Sequence, residues 1–166
     1  MQYELKELNM NMDILEYEMY QDIPSKEPGS TNLCKGLPYE VFKNYLEQQI
    51  ARKYQNISMY DTPTITYIMY VNDKPVGYIC LRIKLDDNWI KWSGNFYYTI
   101  RLSERGKGYG NIILKLALNE FKRLGYKEVF GNSSKDNIRS SKVIENNKGI
   151  LINKENGSKY YKIVLE

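Results

Sequence analysis

A mixed α+β fold, with a mostly antiparallel sheet and helices on both of its faces, is what this 166-residue sequence predicts. Three observations carry the prediction. Apolar residues recur with the period of two along some stretches and with the helical period along others. Three strand-like runs in the middle of the chain follow one another through short turns, a meander and not a βαβ chain. A glycine-rich stretch, Arg105-Gly106-Lys107-Gly108-Tyr109-Gly110, stands between the last of those runs and a helix. The length fits one domain over residues 1–166 with a real core, and 42% apolar with 27% charged residues is ordinary for a globular protein.

Taken in order, Gln2 to Leu8 reads as a first strand and Met12 to Tyr20 as a short helix with Asp13 near its start. Asp22 to Pro38 holds Pro24, Pro28, Gly29, Ser30, Gly36 and Pro38, so it is a loop with little regular structure. A loop of that length in a compact domain is often a lid. Tyr39 to Tyr54 is a helix with Phe42, Tyr45, Leu46, Gln49 and Ile50 on one face. Thr64 to Val71 and Val76 to Leu85 are strands about a hairpin turn at Asn72-Asp73-Lys74-Pro75, and Ile90 to Leu102, after Asp86-Asp87-Asn88, is the third strand. The helix after the glycine loop, Asn111 to Leu124, sets Ile113, Leu116, Ala117, Phe121 and Leu124 on one stripe, with Gly125 suited to the position past its end. Glu128 to Gly131 is a short strand and Asn137 to Asn147 a helix closed by Gly149. Ile150 to Asn153 and Tyr160 to Leu165 form a last hairpin around Asn156-Gly157.

Composition excludes several chemistries. The chain has no histidine, which removes Ser-His and Cys-His nucleophile pairs and most zinc sites. Cys34 and Cys80 show neither metal-ligand spacing nor a redox pair and read as free thiols, Cys80 buried in a strand, so no metal is expected. No apolar run is long enough to span a bilayer, and the start of the chain lacks the basic and apolar regions of a secretory signal, so the expectation is a cytoplasmic protein without a membrane partner. Charge is uneven. Acids dominate Met1 to Ser30 (Glu4, Glu7, Asp13, Glu16, Glu18, Asp22, Glu27) and bases dominate Arg101 to Lys142. That asymmetry suggests an anionic ligand on one half and a cationic one on the other, or a solvated surface with chance asymmetry.

The glycines let the backbone adopt positive φ and approach a ligand closely, and the helix after them offers unpaired N–H groups and the positive end of its dipole. Together these make a phosphate site. A Walker A loop needs Ser or Thr after Gly-Lys, and here Gly108 follows Lys107. The dinucleotide fingerprint needs G-x-G-x-x-G opening a βαβ unit, and these glycines fall at 106, 108 and 110 after a meander. The spacing Arg105-x-x-Gly108-x-Gly110, the wording Ser103 to Gly110, Leu124-Gly125-Tyr126 and Asp136-Asn137 in this element order resemble the GCN5-related N-acetyltransferases, over most of the chain.

The resemblance implies an N-acetyltransferase that moves acetyl from acetyl-CoA to the amine of a small molecule or peptide, by direct attack, as a monomer or homodimer. It implies that backbone N–H groups of Arg105, Gly106, Lys107, Gly108, Tyr109, Gly110 and Asn111 hold the CoA pyrophosphate, that Arg105 and Lys107 add charge, and that Thr99, Ile100 and Arg101 bond the pantetheine arm through their main chain. Asn137 would touch cofactor or splayed backbone, or cap the helix beginning at Ile138. Ser140 would share the cofactor-facing side or be a plain first-turn residue. The Ile100 N–H would stabilise the carbonyl oxygen. Two departures stand out. Where many members carry a tyrosine acid seven residues after the Asn, this chain has Ile144, and the strand Asn95-Phe96-Tyr97-Tyr98-Thr99-Ile100 has no carboxylate base. Tyr98 would serve as acid or water-orienting group, or as a buried structural tyrosine. Asp86, Asp87 and the acids of residues 13–27 would serve as base or amine anchor, or be ordinary turn and surface carboxylates. Tyr17, Tyr20, the 22–38 loop and Tyr160-Tyr161 would frame the acceptor. The competing class is a non-catalytic acyl-CoA-binding module. A nucleic-acid-binding domain lacks any recognised motif here, so no nucleic-acid partner is expected.

Overall fold

The computed structural model describes residues 1–55, 62–85 and 93–166. Its main elements run in the order β1 (Tyr3–Glu7), α1 (Ile14–Gln21), β2 (Lys26–Glu27), β3 (Ser30–Thr31), α2 (Phe42–Ala51), β4 (Thr64–Val71), β5 (Lys74–Arg82), β6 (Phe96–Ile100), α3 (Tyr109–Arg123), β7 (Glu128–Ser134), α4 (Ile138–Asn146), β8 (Ile150–Glu155) and β9 (Ser158–Val164). β1-β4-β5-β6 form one antiparallel sheet and β7-β9-β8 a second, with β2-β3 a two-stranded ribbon.

β4 is buried along its whole length, and its β-branched and aromatic residues suit a central strand with both faces covered. Its alternate residues feed two cores. Ile65, Tyr67, Met69 and Val71 join Ile113, Ala117 and Phe121 of α3 and Ile144 of α4. Ile68 and Tyr70 join Met19 and Tyr20 of α1 and Phe42, Tyr45 and Leu46 of α2. Helices therefore cover both faces of the sheet, as the sequence predicts.

Several bounds differ from the sequence expectation. The β4–β5 turn is Asn72-Asp73, both at positive φ (47° and 67°), and Lys74 and Pro75 already belong to β5. This is the primed turn that matches strand twist. The third strand of the meander is shorter than expected. Residues 90–92 lie outside the described residues, as do Asp86, Asp87 and Asn88, and Gly94 at φ 65° breaks the chain before β6 starts at Phe96. The expected Tyr39 to Tyr54 helix is α2 flanked by 3₁₀ turns at Tyr39–Val41 and Arg52–Tyr54. On α3, Leu114 and Leu118 enter the core where Leu116 and Leu124 were expected; Leu124 is exposed past the end of the helix. α4 closes with Lys148 in the left-handed region (φ 68°), not with Gly149. Gly149 has another duty: a Cβ there would lie 2.4 Å from Ile144 Cγ2.

Candidate active site

The glycine loop leaves a 3₁₀ turn at Leu102–Glu104 and enters α3 at Tyr109. Gly106 and Gly108 both sit at φ 80°, where a side chain is strained. Gly108 is the N-cap of α3 and no side chain caps its first turn. The first N–H groups of a helix have no partner within it, so here they face outward from the loop. A Cβ at either glycine would meet nothing within 4 Å. These glycines keep space open in front of the helix end instead of serving internal packing. Gly110 differs: its Cβ would stand 3.3 Å from Val143 Cγ2 and 3.5 Å from Tyr98 Cε2, which brings the helix start against α4 and β6.

Beside the loop the two sheets part. They are joined where Asn95 N–H donates to Phe130 O and Phe130 N–H donates to Asn95 Oδ1, each at 2.7 Å. Beyond that point β6 pairs with β5 and β7 with β9. Arg101 N–H donates to Val76 O at 2.9 Å and Arg82 N–H to Asn95 O at 2.7 Å. In an antiparallel ladder the alternation then turns the main-chain groups of Tyr97, Thr99 and Arg101 toward β5, and those of Tyr98 and Ile100 toward the gap. Ile100 O fits this, since it accepts from Arg105 Nε at 2.8 Å on that side. Of Thr99, Ile100 and Arg101, the structure turns only Ile100's main chain to the gap, and Tyr98 joins it.

The charged side chains of the loop are engaged within the protein. Arg105 Nη2 donates to Glu27 Oε1 at 2.5 Å. Arg101 Nε donates to Asp22 Oδ2 at 2.8 Å, and the Ser103 N–H and hydroxyl donate to the same oxygen. Burial pushes the Asp22 carboxyl up, but the hydrogen bonds from Ser103 and Arg101 outweigh it and hold the group below its usual range. Lys107 and Lys74 both donate to Glu104, whose carboxyl they hold low. The acidic and basic halves of the sequence thus meet in part as internal ion pairs. Tyr109 turns its ring into the core against Tyr3, at 6.3 Å between centroids, so only its main chain faces the loop. Asn111 ties α3 to the end of α4, accepting from Asn146 Nδ2 at 3.2 Å.

A family model for the acetyltransferase (GNAT) family matches residues 30–149. The chain belongs to the GNAT acetyltransferase family. Solved structures share its fold: a RimL ribosomal L7/L12 α-N-protein acetyltransferase in complex with coenzyme A (TM-score 0.70, 13% identity, covering 98% of this chain and 94% of that one), Campylobacter jejuni N-acetyltransferase PseH in complex with acetyl coenzyme A (0.64, 11%, 99% and 100%), and aminoglycoside acetyltransferase AAC(6')-Ib in complex with coenzyme A (0.65, 16%, 98% and 95%). No curated protein matches the chain significantly.

In this GNAT chain Tyr98 is half-buried on the α3 side of β6. Burial pushes its hydroxyl up to about 12, opposed by a hydrogen bond with Ser140, so it holds its proton at neutral pH. Asn137 is the N-cap of α4, its Oδ1 accepting from Ser140 N–H at 3.2 Å. Asn137→Ala is expected to lower stability by about 1 kcal/mol, roughly 2–4 °C in Tm for a chain of this length, and Asn137→Asp to keep the cap; urea and thermal unfolding measure both. Ile144, at the position of the family's tyrosine, is 1% exposed and packs in the core.

On the other face of β6 lies a narrow cleft; Tyr20, Tyr45, Tyr78 and Tyr97 line it together with Thr31 and Arg52. Tyr20 stacks on Tyr78 and meets Tyr45 edge-on, each at 5.3 Å. Burial pushes the hydroxyls of all four tyrosines upward, so they are neutral phenols. Of the residues expected to frame an acceptor, Tyr20 is here, with Thr31 and Leu33 of the 22–38 loop. Tyr17 instead donates to Leu37 O at 2.7 Å, and Tyr161 is buried in the opposite core, donating to Glu145 at 2.8 Å. Sequence reasoning missed Tyr45, Tyr78 and Tyr97. Their signal is positional: Tyr78 and Tyr97 fall at alternate residues on the α1/α2 face of neighbouring strands. Among the described residues no three His, Cys, Asp or Glu side chains cluster as metal ligands, and no helix is long and apolar enough to cross a membrane. Cys34 and Cys80 are buried free thiols, with burial pushing Cys34 up to about 12.

Proposed function

We infer that the protein is an acetyl-CoA-dependent N-acetyltransferase acting on the amine of a small molecule or peptide. One observation carries the reading: the start of α3 has no side-chain cap, and β6 and β7 beside it belong to different sheets. The first supplies N–H donors and a helix dipole to a diphosphate, and the second supplies main-chain groups to an extended arm. Arg105 N–H already donates to Leu102 O and Asn111 N–H to Gly108 O, which points to Gly106 through Gly110 as the cradle. Acetyl-CoA, when bound, brings a thioester activated toward amines. The Ile100 N–H, turned to the gap, is the donor we assign to the carbonyl oxygen. Tyr98, protonated at neutral pH and beside Ser140 and Gly110, is the proton source we assign at the leaving sulfur. With a thiol pKa of about 8.5 the sulfur needs little help from an acid, which is consistent with Ile144 replacing the family's tyrosine. The amine would approach from the tyrosine cleft. Proteins of this fold are named for ribosomal L7/L12 and aminoglycoside acetylation, and neutral phenols of this kind suit a cationic amine.

At a hundred times its Kd, acetyl-CoA is expected to stabilise the protein by about 2.7 kcal/mol, which thermal unfolding reads directly. No shift with millimolar acetyl-CoA, together with one from ATP or NAD, would contradict the reading. Buried Ile144 favours the second reading, a non-catalytic acyl-CoA-binding module, and CoA release with any amine separates the two.

A further inference from the structure

The acids of residues 13–27 have distinct surroundings. Asp13 and Glu16 serve α1: Glu16 Oε2 accepts from Asp13 N–H at 2.8 Å, and its Oε1 accepts from Tyr70 at 2.5 Å. Asp22 is taken up by Arg101 and Ser103. Glu27 reaches β6. Its Oε2 accepts from the Thr99 hydroxyl at 2.6 Å and its Oε1 from Arg105 Nη2 at 2.5 Å. Side chains alternate along a strand, so Tyr97 and Thr99 point to the α1/α2 side of β6 while Tyr98 and Ile100 face α3. Glu27 therefore stands on the cleft side of β6, one residue from the main-chain N–H that faces the gap. The ribbon that carries it is pinned by Ser30 to Tyr78 at 3.1 Å, and Tyr78 lies opposite Thr99 in β5, where burial chiefly raises its hydroxyl and the Glu27 charge adds a little. A carboxylate oxygen has two acceptor sites, so each keeps one beyond these bonds, and the side chain is 20% exposed.

We propose that Glu27 takes the proton from the acceptor amine, an assignment that rests on the acetyltransferase reading. The strand itself carries no carboxylate, and the ribbon delivers one to it from a distant part of the chain. The acceptor arrives as an ammonium ion. One N–H proton passes to Glu27, and the freed lone pair forms the C–N bond at the acetyl carbon. The C–S bond breaks with its electron pair on sulfur. The second N–H proton goes to the thiolate through Tyr98 or water, and Glu27 returns its own to solvent. Arg105 is a positioning residue: it holds Glu27 with one nitrogen and the Ile100 carbonyl with another. The groups facing Glu27 are Arg105 from the loop, Thr99 from β6 and Tyr78 from β5, with the Arg101–Asp22 pair next along.

The test compares the wild type, Glu27→Gln and Glu27→Asp as full-length chains. Thiol release from acetyl-CoA is followed with a panel of primary amines from about pH 6, above the usual carboxylate range, to about pH 10, near that of a simple amine, beside thermal unfolding with acetyl-CoA. Glu27→Gln is expected to lose about 10²–10³-fold in kcat at neutral pH. The deficit should shrink as pH rises and solution supplies free amine, while the acetyl-CoA shift persists and Glu27→Asp recovers part of the rate. A Gln variant within about threefold of wild type, or a loss equal at every pH with a weakened acetyl-CoA shift, makes Glu27 a structural tie and overturns the assignment alone. A wild type stabilised by acetyl-CoA that turns over no amine is a binding module. A wild type that does neither overturns the acetyltransferase reading. In both cases the Glu27 assignment falls too.

Discussion

Gly108→Val is expected to yield a folded protein that has lost acetyl-CoA. The residue sits at φ 80°, a region that costs an L-residue about 1–2 kcal/mol. A Cβ there meets nothing within 4 Å, so no internal clash adds to that strain. The side chain would instead occupy the space in front of the α3 terminus, where the unpaired N–H groups point. Hydrogen bonds to charged acceptors contribute about 1.5–3 kcal/mol each, so losing two weakens binding at least about a hundredfold. Titration calorimetry gives the affinity and thermal unfolding the stability. Gly125→Val supplies the control: φ is 90°, nothing lies within 4 Å, and the residue follows the other end of the same helix. It should show similar strain with acetyl-CoA affinity intact. Equal affinities in wild type and Gly108→Val would reduce the loop to a turn.

Gly77→Ala carries the largest expected loss of stability. Gly77 lies opposite Ile100, and a Cβ on it would stand 2.4 Å from Thr99 O, 2.8 Å from Ile100 Cδ1 and 3.1 Å from Ile100 Cα. Two of those atoms are backbone, so no rotamer change relieves the contact, and β5 and β6 must separate. Overpacking in a core costs about 1–3 kcal/mol, and a backbone clash belongs at the upper end. That is roughly 5–10 °C in Tm at this length. The displaced residue is the one whose N–H faces the gap, so the rate should fall further than the stability alone requires. Urea unfolding and the thiol-release assay measure the two losses separately. A variant with Tm within about a degree of wild type would show that the strands absorb a methyl at this pair.

Local chemistry was legible and distant pairing was not. The turn at Asn156-Gly157, the C-terminal Gly125 and the glycine loop are each written in a few adjacent residues and take up positive φ there, while the turn expected over Asn72 to Pro75 tightened to Asn72-Asp73. The order of the longer elements followed from periodicity. The β2–β3 ribbon did not: two-residue strands have no period, and this one is held by Ser30–Tyr78 and Glu27–Thr99 bonds spanning 48 and 72 residues. Gly149 looked like a helix stop because glycine usually is one there. Its actual constraint, the Ile144 contact, is tertiary. The loop's glycines were legible as an open turn at positive φ before a helix, whereas the commitment of Arg105 to Glu27 crosses 78 residues and leaves no mark in either neighbourhood. The tyrosine cleft was hidden for a similar reason. Strand alternation says that Tyr97 and Tyr98 face opposite ways, and only the packed helices say which side is hollow.

The pairs Asp22–Arg101 and Glu27–Arg105 bear on how this enzyme could be re-engineered. The segment that borders the tyrosine cleft is bolted at two points to the segment around the glycine loop. A ribbon transplanted from another family member, to change which amine is accepted, would leave Arg101 and Arg105 without their carboxylates unless it brought acids at both positions. The unit of exchange is therefore residues 22–31 with residues 99–105 together, and a library that varies one without the other will sample mostly chains whose Arg101 and Arg105 lack their partners.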